Sequence, residues 1–323
     1  MGRECRPDRP RSPSIAPTVR RWRLALDALL DTLECLRGQP RQVARLEGGL
    51  TNTNYRVTTP VRDVVVRVSS KDDSLLAIDR DAEEANSRAA AVSGAAPQVV
   101  EYVPEHSLLV VAYVPGRTFT SADIGTAANL PRLAAVCRQL HAGPRFVTDF
   151  DMFEVQHRYL ATVLEHGFKL PDGYLDWEPV IERIRGVLTA EQVRTVPCNN
   201  DLLAANVIDD GSRLWLIDYE YAGNNDPCFE LGNLASESSL SVSDLTTLVT
   251  TYFGREVPAK VARTRLLGAM AQYGWMLWAS ISAATSPVDF DFWTWGMDKY
   301  DRAVETLAGD ELDALLSAAH RPD

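Results

Sequence analysis

Cysteine is scarce in this chain and poorly arranged for pairing. Cys5, Cys35, Cys137, Cys198 and Cys228 are odd in number and scattered, with no C-x-x-C pair. That argues against both a disulfide framework and a zinc site, and makes a reducing cytoplasm the expected compartment. Positive charge is also short: 33 Lys and Arg stand against 44 Asp and Glu, a net charge of -11. A nucleic-acid binder would show a basic face, so that class is set aside. A small cationic substrate would instead be favoured by the field. No stretch offers the ~18 uncharged apolar residues of a membrane span. There is no Walker A loop, no G-x-G-x-x-G loop, no internal repeat and, after residue 17, no low-complexity block.

What is present divides into regions of different texture. Residues 1–17 carry four prolines and four arginines and are expected to be a disordered tail. Arg20-Arg21 before RLALDALLDTLECL resembles an export signal only superficially, because Asp27, Asp31 and Glu34 interrupt the apolar run. Trp22, Leu26, Leu29, Leu30, Leu33 and Leu36 follow helical spacing instead, so 18–38 reads as an amphipathic helix. The opening MGRECR lacks the hydroxyl residue of a myristoylation signal. From 39 to 113 the pattern reads strand, strand, strand, helix, strand, strand, the helix at 78–93 ending on Gly94. Pro115-Gly116, within 114–117, reads as a linker. Residues 118–323 are mostly helical by periodicity, apart from NVID and RLWLID, separated by the turn pair Asp210-Gly211. The expected fold is α+β, a small antiparallel lobe with one helix followed by a larger helical lobe.

The junction carries the chemistry. Asp201-x₄-Asn206, followed by Asp218 at the end of the apolar strand LWLI, has the interval of a phosphotransferase catalytic loop and its metal ligands. An Asp and an Asn at that interval are ordinary turn formers, and it is the third residue that gives the pattern weight. Arg67 ends Val-Val-Val-Arg on a strand, where a guanidinium can grip phosphate bidentately. Alone it would be a solvent-facing cation. A partner for it is available in Glu83 or Glu84, although Glu84 could simply bridge to Arg88. Gly48-Gly49-Leu50-Thr51-Asn52 joins two strands, with glycines that let backbone amides approach phosphate. His141 ends a helix and reads as a cap or packing residue.

Taken together, EGGLTNTNYRV, Arg80-x-x-Glu83-x-x-Asn86, NNDLLAAN and IDYEYAGNNDPCFELGN resemble the choline/ethanolamine kinase family. The resemblance runs from about Glu47 to about Asp301. It implies a protein-kinase-like two-lobe fold of the aminoglycoside-phosphotransferase type, with ATP and Mg²⁺ as cofactors and a small amino alcohol as substrate. By position, Asp201 would be the catalytic base, and Asn206, Asp218 and Glu220 the metal group. Arg67, oriented by Glu83, would hold nucleotide phosphates under the loop of Gly48, Gly49, Thr51 and Asn52. Tyr113 would stand at the adenine hinge of 114–117.

Trp275 and Trp278 lie three apart on one helix, hence on one face, and Phe292, Trp293 and Trp295 open the next. An aromatic stripe on a helix is ordinarily core. The resemblance assigns Trp275, Trp278 and Trp295 to the acceptor pocket, where tryptophan faces suit a quaternary ammonium. Glu237, with Glu220, Asp226 and Glu230, could balance its charge. One departure stands out: the family usually has histidine where this chain has Asn199, grouped here with Asp201 in the catalytic loop. An amide keeps a donor and an acceptor but loses reach, so a loop held less firmly and some loss of rate are expected. The rival readings are a pseudokinase that binds nucleotide or a cation without turnover, and a kinase for thiamine, an aminoglycoside or another cationic alcohol.

Overall fold

In the computed structural model, residues 24–69, 74–190 and 192–320 are described. Helix α1 (24–30) opens them, and a 3₁₀ turn follows at Glu34–Leu36. Leu26, Leu30, Leu33 and Leu36 are buried at spacings of three and four, as the amphipathic pattern requires. The helix expected over 18–38 is nevertheless interrupted. The Glu101 carboxylate accepts the Glu34 and Cys35 amides, both at 2.8 Å, and so caps a new turn there. Trp22, Arg20-Arg21 and the tail at 1–17 lie outside the described residues.

Five antiparallel strands form the first sheet in the order β1-β2-β3-β5-β4. They are β1 (Gln42–Arg45), β2 (Asn52–Thr58), β3 (Asp63–Ser69), β4 (Val99–Val103) and β5 (Leu108–Ala112), with α2 (Arg80–Ser93) inserted after β3. Alternation along β3 and β5 sorts the side chains between two faces. Val64, Val66, Leu108 and Val110 are buried with the α1 leucines. Val65, Arg67, Leu109 and Val111 face the other way and line a cavity. Asp79 caps the start of α2 by accepting from the Asp81 and Ala82 amides, and Gly94 closes it at φ 80°.

Strands of two or three residues lie between the larger helices. β6 (Arg117–Thr118), β8 (Val207–Asp209) and β9 (Leu214–Leu216) make one sheet, and β7 (Val196–Cys198) pairs with β10 (Gly223–Asn225). The β8–β9 turn is organised by Asp210, which accepts from the Ser212 and Arg213 amides and from Trp215 Nε1 at 2.7 Å. β6 and β10 carry no periodic signal at two and three residues, and the sequence pattern passed over them.

The helices are α3 (Ser121–Ile124), α4 (Leu130–His141), α5 (Met152–His166), α6 (Glu178–Leu188), α7 (Pro227–Glu237), α8 (Val242–Phe253), α9 (Pro258–Thr285), α10 (Phe292–Leu307) and α11 (Leu312–Ala319). The 28-residue α9 is buried all round its middle and packs on α5, α7, α10 and α11. Its contact with α7 is backbone to backbone. A Cβ on Gly232 would lie 2.5 Å from Thr264 O and 2.9 Å from Gly268 N. That close crossing aims α7 back at the β7–β8 loop. None of the described helices is long and apolar enough to cross a membrane.

Candidate active site

The loop between β7 and β8 is held from beneath by a carboxylate. Glu230, in the first turn of α7 and with no exposed surface, accepts the Asn199 amide at 2.9 Å and the Asn200 amide at 2.8 Å. Asn200 adopts φ 67°, a left-handed conformation that asparagine tolerates better than most residues. Its side chain donates to the Tyr221 and Gly223 carbonyls. Asn199 is also wholly buried. Its Nδ2 donates to Asp218 O at 2.6 Å and Ile217 O at 3.2 Å, while its Oδ1 accepts the Asp201 amide at 3.1 Å. Asn199 therefore faces away from solvent and joins the two acidic segments. The amide thus ties the Asp201 segment to the Asp218 segment through three hydrogen bonds.

Asp201 is half-buried, and Asn206 Nδ2 donates to its carbonyl at 2.8 Å, which turns the amide oxygen of Asn206 the other way. Burial pushes the Asp201 carboxyl well above its ordinary range, and the charges of Asp218, Glu237 and Glu220 add to the effect; Lys299 opposes it. Asp218 sits at φ 64°. Two non-glycine residues in the left-handed region at one site is strain of the kind found where geometry serves a purpose.

Arg67 crosses from β3 to this cluster. It is 8 % exposed, in contact with Glu83, and 2.5 Å from Asp218 Oδ1. Of the two glutamates offered by the sequence, Glu83 is the partner; Glu84 pairs with Arg88 on the surface. Arg80 Nη1 bridges Glu83 Oε2 at 2.7 Å to Glu220 Oε2 at 3.2 Å. Glu220 in turn accepts Thr51 Oγ1 and Asn52 Nδ2, both at 2.9 Å. Its carboxyl is pushed up by burial and by Asp218, against the pull of Arg67 and Arg80. Thr51, Asn52 and Glu220 thus form a brace beneath the glycine loop.

A cavity of about 350 Å³ lies between the lobes, within the range of small-molecule sites. Gly48, Gly49, Arg67, Tyr113, Asn206 and Asp218 line it, with Val65, Leu109, Val111, Ile208 and Ile217 as apolar wall. Thr51, Asn52, Glu83, Glu220 and Asp201 are not part of that wall. Gly48 and Gly49 have φ 89° and 94°, and a Cβ on Gly49 would meet Asn52 O at 2.9 Å. The loop accordingly requires glycine at both places.

The aromatic set divides. Trp275 is 4 % exposed and bonded through Nε1 to Asn233 Oδ1 at 3.0 Å, with its ring against Tyr221 and Phe150. Trp278 donates from Nε1 to Tyr221 Oη at 2.8 Å and meets Trp295 edge to face at 5.6 Å. The Tyr221 phenol is raised by burial and by Tyr159, and it feels the charges of Glu220 and Asp201. Trp278 and Tyr221 are therefore joined, with Trp295 against Trp278. Trp295 is half-buried, and Lys299 Nζ stands 3.9 Å from its ring centroid while contacting both oxygens of Glu237.

Residues 43–252 of the 323 match the choline/ethanolamine kinase family. The chain belongs to that family. Ethanolamine kinase 2 of Mus musculus is 28 % identical over 298 residues, covering 82 % of this chain and 76 % of its own. Among solved structures, a choline/ethanolamine kinase family protein from Mesorhizobium loti matches with a TM-score of 0.81 at 29 % identity, over 92 % of this chain and 99 % of that one. The choline kinase LicA of Streptococcus pneumoniae matches at TM-score 0.72 and 24 % identity, over 89 % of this chain and 99 % of its own, as a likeness of fold. An aminoglycoside 2'-phosphotransferase-IIIa in its GDP complex shares the fold at TM-score 0.63 and 14 % identity, over 90 % and 99 % of the two chains. The fold is the protein-kinase-like one of choline kinases and aminoglycoside phosphotransferases.

Within that family frame, three residues of the site were not legible as such. Glu230 was expected to balance substrate charge, but both its oxygens are committed to backbone amides. Asp226, offered for the same purpose, caps α7 through the Cys228 amide and pairs with Arg263. Lys299 had one signal: it falls on the buried stripe of α10 with Phe292, Gly296, Tyr300, Ala303 and Leu307, where a lysine is out of place.

Proposed function

We propose that this chain transfers the γ-phosphoryl group of ATP to the hydroxyl of a small alcohol, choline and ethanolamine being the acceptors its family names. The observation that carries the reading is the convergence of Arg67, Asn206 and Asp218 on one cavity, from a strand and two loops far apart in sequence, with Glu83 holding Arg67 and the Asp201 carbonyl held by Asn206 just behind it. In support, Ethanolamine kinase 2 is a relative over most of its length, and LicA has been solved in complex with AMP.

Each residue has a task that follows from its position. Gly48 and Gly49 bring bare backbone to the phosphates. Arg67, fixed between Glu83 and Asp218, presents a cation to them. The apolar wall beside Tyr113 takes the adenine. Asn206 and Asp218 offer oxygen donors of the hard type that Mg²⁺ prefers. The site also has the right charge for it, since Asp201 and Glu220 are both pushed up partly by Asp218. When bound there, Mg²⁺ neutralises charge on the transferring phosphoryl group. Asp201, beside the cavity, accepts the acceptor hydroxyl proton on its carboxylate. Glu220 acts as a tether for the glycine loop. A kinase of the same mechanism for a different alcohol is favoured by one observation: Glu237 already holds a lysine.

The test is ADP release with Mg·ATP across a panel of alcohols that includes choline and ethanolamine, for the native chain and Asp201→Asn. Acceptor-stimulated release by the native chain, lost in the variant, is expected. Silence from the native chain across the panel, with nucleotide still bound, would replace this reading by the pseudokinase.

A further inference from the structure

Three side chains of unlike chemistry meet beneath the β7–β8 loop. His141 ends α4, Cys198 ends β7 and Glu230 stands in the first turn of α7. All three are buried, and their donor atoms lie within 4.8 Å of one another. His141 Nε2 is 3.6 Å from Cys198 Sγ and 3.6 Å from Glu230 Oε1. The second gap is too long for a nitrogen–oxygen hydrogen bond. It does suit two donors on one tetrahedral ion, which stand roughly 3.4–3.6 Å apart when each is about 2.0–2.3 Å from the metal.

The surroundings suit an ion as well. His141 Nδ1 lies 2.7 Å from Tyr252 Oη on α8. When Nδ1 donates there, Nε2 turns a bare lone pair toward the thiol and the carboxylate. Each Glu230 oxygen accepts one backbone amide and keeps a further lone pair to give. The Tyr219 hydroxyl is buried without a hydrogen-bond partner among the described residues. Burial raises that phenol, and the charges of Glu230 and Cys137 raise it further, so it shares this part of the interior. A buried hydroxyl with no partner is costly and calls for an explanation.

We propose that His141, Cys198 and Glu230 form a binding site for a divalent ion of the Zn²⁺ type, distinct from the metal group at Asn206 and Asp218, with the Tyr219 hydroxyl as a candidate fourth donor. Thiolate and imidazole select against Mg²⁺ and Ca²⁺, which prefer oxygen alone. One thiolate and one carboxylate neutralise the ion, so the loaded site carries no net charge in a dry interior. On binding, the Cys198 S–H bond breaks, a metal–sulfur bond forms and the proton leaves to solvent. The ion fastens α4, β7 and α7 together immediately before Asn199, and so braces the loop that carries Asp201. The lack of a C-x-x-C pair counts against zinc sites built on cysteine pairs, and this one uses a single thiolate.

The experiment takes the full chain, treated with chelator and free of nucleotide, with Co²⁺ and Zn²⁺ as probes. Co²⁺ is expected to bind with a thiolate charge-transfer band and the strong visible absorption of a tetrahedral ion. Zn²⁺ is expected to bleach both and to raise the melting temperature. Cys35→Ser should keep the band, whereas Cys198→Ser should lose it together with the rise in melting temperature. Tyr252→Phe leaves all three donors in place and should weaken Co²⁺ binding roughly tenfold, because the imidazole loses its orienting partner. Should Cys198→Ser not fold, His141→Gln is read instead, by loss of the tetrahedral absorption. Co²⁺ bound without a thiolate band, or a band that survives Cys198→Ser, would overturn the proposal. So would a melting temperature that Zn²⁺ leaves unchanged, or native Co²⁺ affinity in both Tyr252→Phe and His141→Gln. Turnover enters none of these readouts, so the kinase reading and the metal site stand or fall separately.

Discussion

Replacing Asn199 with alanine removes three hydrogen bonds from a side chain that has no contact with solvent. Asp218 O and Ile217 O lose their donor, and the Asp201 amide loses its acceptor. Each such bond contributes about 1 kcal/mol net, so the variant is expected to be less stable by about 3 kcal/mol. The functional loss is worked from the same contacts. Asn199 is the link that sets the Asp201 segment against the Asp218 segment, and a displacement of about 1 Å between reacting groups costs on the order of 10²-fold in rate. The loss should appear in kcat, with the KM for ATP nearly unchanged, because Arg67 and the Gly48–Gly49 loop are untouched. Histidine at 199 is a sharper case. Its ring must enter a space already filled, at a cost of about 1–3 kcal/mol, and it brings no bond that the amide lacks. Asn199→His is therefore expected to be less stable than the native chain and no faster. Urea unfolding and ADP release on the three proteins decide the matter. An Asn199→Ala variant within about 0.5 kcal/mol of native stability and with native kcat would refute the tethering argument, and a faster histidine variant would show that the amide leaves the loop underheld.

Three further outcomes follow from the geometry. Asp201→Asn should lower kcat by about 10²–10⁴-fold while raising the melting temperature, since an ionised carboxyl is no longer held in a site that disfavours it. The sign with pH is fixed: the folded-state pKa lies above the ordinary 3.8, so this gain is present at neutral pH and vanishes as pH falls below that value. Native turnover should fall off on the acidic side at a pH above the usual carboxylate range, read from a kcat profile. Glu230→Gln places an amide donor against one of the Asn199 and Asn200 amides, and should cost roughly 2–3 kcal/mol in a urea melt. Gly49→Ala forces a Cβ to within 2.9 Å of Asn52 O at φ 94°, a strain of about 1–3 kcal/mol. It should raise the KM for ATP about tenfold or more, and an unchanged KM would remove the loop from the nucleotide site.

Local chemistry made much of this protein legible before any fold was known. Period-two alternation in DVVVRVS marks both the strand and the face on which Arg67 emerges, because a pleated strand has only two sides. Gly94 and Asp210-Gly211 announce a helix end and a turn through backbone conformations that few other residues adopt. The interval Asp201-x₄-Asn206 with Asp218 is readable because a loop and one hairpin bring the three together. Partnerships across long separations were not readable this way. Glu83 and Glu84 are neighbours with the same charge, and only the way α2 lies on the sheet turns Glu83 to Arg67 and leaves Glu84 for Arg88. The break after α1 depends on Glu101, some 66 residues later. Glu230 looks like any glutamate in the first turn of a helix until the glycine crossing of α7 and α9 buries it beneath the β7–β8 loop. Lys299 falls on the apolar stripe of α10, but only the packed fold shows that Glu237 is its partner. The sequence by itself determined which elements form and which residues can do chemistry, since propensity, turn geometry and side-chain charge act over a few residues. Which carboxylate meets which cation was decided by the tertiary structure alone, because burial is a property of the packed chain and it is burial that compels each charge to find a partner.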